Sequence, residues 1–234
     1  MDKIFAIVKK ELLVYFKSPI AYIVLIITIS VFNTFFFTII DQNKEATLRD
    51  VFLVMEFLFM FIIPLLTMKV FSEEKFSGTM EFLMTTPTSN TQIVLGKYIG
   101  SLLFFTSIIV FTFIYYLIIE MFGSPDKLAV LTGYLGIWLE GAFFIAIGVL
   151  TSSWTRNQIV SAITSYVILF LLYFSMIYVK YLGGMSYDII HYLSTSTHLK
   201  NFAQGSVSVS DVVYYLSGIM LCILLTRVSI ENRI

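Results

Sequence analysis

Charge is what this chain has least of. Asp, Glu, Lys and Arg make up 13% of its 234 residues, about half the share of a soluble domain, so ordinary globular, coiled-coil and disordered classes are disfavoured. The fifteen acids and fifteen bases cancel, and with them goes the basic field that nucleic-acid binding needs. A single cysteine excludes an intramolecular disulfide and a Cys-based zinc site, and two histidines leave little for metal chemistry. The phosphate loop G-x-x-x-x-G-K-[ST] is missing too: Gly96-Lys97 has Thr91 where the upstream glycine belongs, and Tyr98 follows. Nor is there a G-x-S-x-G, an H-E-x-x-H or a paired Asp motif. The chain therefore reads as a non-enzyme, with no catalytic, cofactor-binding or metal site of its own.

What fills the space is apolar and aromatic: 58% hydrophobic residues, with 23 Phe and 14 Tyr, and a mean hydropathy of +0.90. A membrane-crossing helix needs about 20 mainly apolar residues. Windows 20–40, 99–119 and 159–179 meet that without an interrupting charge. Window 51–68 meets it despite Glu56 and Pro64, and 128–150 despite Glu140. The sixth, 212–226, has 15 residues between Asp211 and Arg227, and spans only if the bilayer thins or the helix begins earlier. The expected fold is an all-α integral membrane protein, one domain over 1–234 with six spans. The run beginning at residue 20 reads as an uncleaved first span rather than a leader.

Cations set the orientation. Ten fall on one face: Lys3, Lys9, Lys10 and Lys17 before the first span, Lys69, Lys75 and Lys97 after the second, Arg156 after the fourth, and Arg227 and Arg233 after the last. The other face has five, Lys44, Arg49, Lys127, Lys180 and Lys200. Both termini are therefore expected on the cytoplasmic side.

Residues 2–17 have the pattern of an amphipathic interfacial helix. Ile4, Phe5, Ile7, Val8, Leu12, Val14, Tyr15 and Phe16 share one arc and the lysines the other, and Ser18-Pro19 breaks the helix before the first span. Glu11 falls inside the apolar arc, so it must snorkel or meet a partner from the protein. Between the second and third spans, Ser72-Glu73-Glu74 suits a helix start, and Gly78-Thr79 interrupts it. Met80, Phe82, Leu83 and Met84 then surround Glu81. Apolar side chains outside the bilayer need something to pack against, so 73–86 is read as a short helical element at the cytoplasmic surface. Ser89-Asn90-Thr91-Gln92 has the form of a capping box. The outer connection, 180–211, is expected to hold a small interfacial or re-entrant helical element. His191 and His198 in it are read as hydrogen-bonded surface residues, not metal ligands.

An acid at membrane depth is a functional hypothesis by default. Glu140, in mid-span, either lines a path or sits hydrogen-bonded at a helix seam. Glu56, nearer the outer face, is read as a structural acid close to water. Gly96 and Gly100 form a G-x-x-x-G that would allow close helix approach.

Several blocks together resemble a known family. They are Lys10-Glu11-Leu12 with Tyr15-Phe16 and Ser18-Pro19-x-Ala21-Tyr22; Phe71-Ser72-Glu73-Glu74-Lys75; Gly78-Thr79-Met80-Glu81-Phe82-Leu83; Ile93-Val94-Leu95-Gly96-Lys97; and Gly148-Val149-Leu150-Thr151-Ser152-Ser153. The chain resembles the permease subunits of ABC-2 type exporters, in the branch of the gliding-motility-associated permease. The resemblance implies a type V exporter-like fold in a bacterial cytoplasmic (inner) membrane. It also implies a separate ABC ATP-binding subunit in two copies, carrying the ATP and Mg, and a second copy of this permease or a related one. The 73–86 element would be the coupling helix, with Glu73, Glu74, Lys75, Gly78, Thr79, Glu81, Phe82 and Leu83 as its contact residues and Lys10 and Glu11 in the entry helix. Two rival readings use the same residues. One is a mechanotransmission complex that acts on an extracytoplasmic-domain membrane partner through 180–211. The other is an intramembrane enzyme built on Glu56 and Glu140.

Overall fold

Helices account for most of the described residues in the computed structural model, which describes residues 2–43, 45–81, 88–179 and 184–231. Helix α1 (Asp2–Lys17) stops at Ser18, and Pro19 takes the first position of α2 (Pro19–Asn43), where its missing N–H is no loss. Then come α3 (Arg49–Thr67), α4 (Lys69–Phe76), α5 (Asn90–Thr112) and α6 (Ile114–Phe122). They are followed by α7 (Lys127–Trp154), α8 (Gln158–Val179), α9 (Met185–Leu193), α10 (Thr195–Ala203) and α11 (Val209–Glu231). Among the described residues, six stretches are long and apolar enough to cross a membrane: Ala21–Gln42, Arg49–Phe76, Asn90–Phe122, Lys127–Trp154, Gln158–Ser175 and Val209–Glu231.

The order matches the six expected spans, but three bounds differ for physical reasons. The last helix has 23 residues rather than 15, roughly 35 Å at 1.5 Å per residue. Its bracketing charges are absorbed: Asp211 is buried against His198 and Asn201, and Arg227 reaches Glu231 one turn on. The second span runs past Met68 through α4, so Ser72 stands in mid-helix instead of starting one, its hydroxyl bonded back to the Met68 carbonyl. The third is long because the Ser89–Gln92 capping box starts α5 early, with both reciprocal bonds formed. Its ladder breaks at Phe113, where the Tyr134 hydroxyl donates to the Thr112 carbonyl at 2.7 Å.

The core centres on α7, against which α3, α4, α5, α8, α10 and α11 all pack. Small residues make that possible. A Cβ on Gly141 would stand 2.1 Å from the Phe105 ring, and one on Gly148 would stand 2.0 Å from the Thr67 hydroxyl. At the other extreme, α2 and α8 keep much of their apolar surface exposed, including Ile23, Ile26, Ile163 and Leu171. Such an outward face suits lipid, where apolar side chains lose nothing by exposure.

The connection after α8 folds inward. Thr195, Ser196, His198, Leu199 and Phe202 of α10 are all buried, and α10 packs on α7, α3 and α8. The expected small element is thus two helices, α9 and α10, the second of them inside the bundle. His198 is correspondingly a core residue, not a surface one.

Candidate functional site

Two clusters of buried polar side chains stand out, one on the face carrying α1 and one deep under α10.

The first cluster is built on Lys97. Only 1% of this lysine is exposed, and its ammonium lies 2.8 Å from Glu11 Oε1 and 3.0 Å from Glu74 Oε2. It also donates to the Val70 carbonyl at 2.8 Å and sits over the Phe71 ring, 5.1 Å from its centroid. Lys10 closes the group, 3.1 Å from the other Glu74 oxygen. Glu11 therefore finds its partner within the protein. The G-x-x-x-G explains how the two helices come close enough. A Cβ on Gly96 would stand 2.7 Å from Ile7 and one on Gly100 would stand 2.7 Å from Glu11, so bare glycine lets α1 lie directly on α5. Tyr15, one turn beyond Glu11, donates to the Leu66 carbonyl at 3.0 Å and lies 3.1 Å from Ser101 Oγ. Burial pushes its hydroxyl well above the ordinary tyrosine range, so it remains a neutral donor. The expected apolar arc of α1 is split: Ile7, Val8 and Tyr15 pack inward, while Phe5, Val14 and Phe16 stay exposed.

The junction between α3 and α4 is held by Ser152 of α7. Its hydroxyl accepts from the Phe71 and Ser72 amides at 2.9 and 3.1 Å and donates to the Met68 carbonyl at 3.0 Å. A side chain from another helix thus does what an N-cap does locally. Ser153 continues the clamp: its carbonyl accepts from Lys75 Nζ and, at 3.2 Å, from Ser229 of α11. Ser152→Ala leaves two buried amides without an acceptor, which costs roughly 1–3 kcal/mol. The expected result is a lower thermal unfolding midpoint of the purified protein, with Ser152→Thr closer to the parent than Ser152→Ala.

Of the residues assigned to the coupling element, Glu74 and Lys75 are tied into these clusters, while Glu73 and Glu81 are exposed. Gly78 has φ +71° with open space where a Cβ would be, so it turns the chain out of α4 at little cost. The Thr79 hydroxyl bonds Ser77 Oγ at 2.9 Å, and Met80 is buried. Phe82 and Leu83 lie outside the described residues.

The second cluster joins Glu56 of α3, Glu140 of α7 and the start of α10. Each acid is 1% exposed. Glu56 Oε1 accepts from Ser196 at 2.6 Å and from Thr195 at 3.4 Å. Glu140 lies beside Glu56 and Thr195, near enough to interact with both side chains, although neither of its oxygens makes a well-aligned hydrogen bond among the described residues. So Glu56 is not close to water, as its sequence position suggests; α10 seals it. Glu140 sits at a helix seam against Glu56 and Thr195, without the well-formed hydrogen bonds expected there. Farther along α10, His198 Nδ1 lies 2.6 Å from Asp211 Oδ1 and its Nε2 lies 2.8 Å from the Tyr192 carbonyl. The Tyr214 ring stacks on the imidazole at 4.1 Å. These bonds fasten α10 to α9 and α11.

Six apolar helices with a charged node at one face suit a membrane protein, and comparison with protein families identifies which kind. The model of the ABC-2 family transporter protein matches residues 5–225, nearly the whole chain. The chain belongs to the ABC-2 transporter family. It is thus a multi-pass transporter permease subunit, and ATP hydrolysis belongs to an ABC ATP-binding subunit with which such permeases work. No curated protein matches the chain. In this ABC-2 permease the family match covers both clusters, from α1 through most of α11.

Sequence reasoning missed Lys97, Ser152, Thr195, Ser196 and the His198–Asp211 pair. A signal existed for the first alone: an acid on an apolar arc needs a cation, and Lys97 stands inside the glycine motif.

Proposed function

We propose that this permease exports a substrate from a bacterial cytoplasm, driven by two ATP-binding subunits that hold the ATP and Mg and dock on its α4 face. A second copy of the chain, or a related permease, completes the working unit, as in the gliding-motility-associated branch. Both termini lie in the cytoplasm, because the face carrying α1 and α4 holds ten of the fifteen cations. The 73–86 segment is the coupling element. The observation that carries this reading is the Lys97 node, in which one buried ammonium joins α4, next to the docking element, to α1 and α5. A push on α4 then reaches two other helices through ion pairs that leave it no slack, and packed helices rock between discrete states.

The test is stimulation of the ATPase by the permease in a reconstituted complex. Glu81→Lys or truncation of Phe82 is expected to weaken assembly or slow ATP turnover. Unchanged assembly and unchanged turnover in both variants would remove the coupling assignment.

One observation favours the mechanotransmission alternative: α9 exposes Tyr187, Ile189, Tyr192 and Leu193, an apolar surface that an outer-face partner could cover. Co-purification of an extracytoplasmic protein together with absence of solute flux would select that version. The enzyme alternative gains nothing comparable.

A further inference from the structure

Beside the Lys97 node lies a cavity of about 540 Å³ between α1, α2 and the α3–α4 helix, within the usual range for a small-molecule site. Its walls divide by chemistry. One side is apolar, with Val14, Ala21, Val24 and Leu65; the other is charged, with Lys69 and Glu73 beside the node residues. The charges of the node are paired, since Lys10, Glu11, Glu74 and Lys97 form ion pairs among themselves. That leaves Lys69 and Glu73, one cation and one anion a helical turn apart, with no ion pair to any described residue. The apolar side continues outward, because Val14 and Leu65 are exposed and so is Phe61, one turn from Leu65 on the same face of α3.

We propose that this cavity binds a zwitterionic phospholipid of the leaflet on the α1 side. Its phosphate lies at Lys69, its ammonium at Glu73, and one acyl chain leaves past Val24 and Leu65 towards Phe61. The matched charges select a zwitterion over an anion. An anionic headgroup such as phosphoglycerol would satisfy Lys69 with its phosphate but bring no cation to Glu73, which would then face that phosphate unpaired, and a neutral amphiphile would leave both charges unpaired. The cavity holds the headgroup and the first part of the chains, and the remainder stays in the bilayer.

Native mass spectrometry of the purified full chain, released from nanodiscs of equal parts phosphatidylethanolamine and phosphatidylglycerol, tests this. One phosphatidylethanolamine per chain is expected to survive activation, retained about tenfold over phosphatidylglycerol, the effect of one charge-assisted contact. Glu73→Lys is expected to reverse the preference towards phosphatidylglycerol, and Lys69→Glu to abolish retention of both. Glu73 is exposed, so its variant tests selectivity without disturbing the core, and a reversal is a gain that misfolding does not mimic. Equal retention of both lipids in parent and variants would overturn the proposal, leaving only lipids of the surrounding annulus. Displacement of the lipid by soluble phosphoethanolamine would also overturn it, because the site would then be one for a free headgroup rather than for a membrane lipid. Neither readout involves the ATPase, so failure here is distinct from failure of the coupling reading.

Discussion

Lys97→Met is expected to unfold the α1–α4–α5 corner and, in whatever protein still folds, to uncouple it from its ATPase. The substitution keeps length and apolar bulk but leaves Glu11 and Glu74 facing each other without their common cation. Glu11 is 6% exposed, so its charge has little water to fall back on. Removing one partner of a buried pair costs roughly 3–5 kcal/mol. At about 2–4 °C per kcal/mol for a chain of this size, the thermal midpoint should fall by roughly 6–20 °C. The control is Lys97→Met combined with Glu11→Leu. Replacing a buried pair by apolar residues is often close to neutral, so the double variant should recover most of the midpoint. It should not recover ATPase stimulation, because the buried ammonium that ties α5 to α4 is still absent and only the more exposed Lys10–Glu74 pair is left to link α4 to α1. A midpoint unchanged in the single variant would show the node to be ornamental; stimulation restored in the double variant would show that packing, not charge, transmits the motion.

The node also shows what was legible in the sequence. Hydrophobic run length gave six spans in the right order, because membrane depth is a one-dimensional requirement that composition answers directly. Glu11 was legible as a residue needing a partner, because α1 has a helical period and the acid sits on its wrong side. The identity of that partner depended on which helix α1 lies against, and that was written only in two glycines whose spacing recurs by chance. The bounds of α11 were misjudged because Asp211 and Arg227 looked like span ends. Asp211 is hydrogen-bonded by His198 and Asn201 and Arg227 is paired with Glu231, and a charge held by such partners no longer marks the membrane boundary. Least legible was α10. The segment Thr195–Ala203 is too polar to read as buried. It is buried because its hydroxyls satisfy an acid on a distant helix, and no local pattern records such a pairing. Ser152 belongs to the same class: it caps a helix to which it does not belong.

Glu140→Gln and Glu140→Leu are expected to leave the fold as stable as the parent, or more stable, while lowering the permease's stimulation of ATP turnover by roughly fivefold or more, the scale of ordinary coupling free energies. Structurally, Glu140 gives the bundle little. It makes no well-aligned hydrogen bond among the described residues and is shut away from water beside a second acid and the Thr195 side chain. A buried acid so poorly paired is a cost to folding; an apolar side chain removes that cost, and an amide removes the part that comes from setting a second acid against Glu56. Glu56 is the contrasting case, because it accepts from Ser196 and Thr195 and so holds the start of α10 in place. Glu56→Leu strands those donors, and each buried unsatisfied group costs roughly 1–3 kcal/mol. The pair is thus expected to separate by measurement. Glu56→Leu should lower the thermal midpoint, and Glu140→Leu should spare the midpoint but slow the cycle. The physical reason for expecting a role in the cycle is that a side chain unfavourable in this arrangement is one that another arrangement can satisfy. Rocking of α7 against α3 and α10 would give its oxygens the well-aligned donors or water they lack here, which biases the bundle towards leaving this state. Full stimulation by Glu140→Leu would refute this and make the acid a tolerated defect. A midpoint drop as large as that of Glu56→Leu would show instead that Glu140 supports the fold through contacts with Glu56.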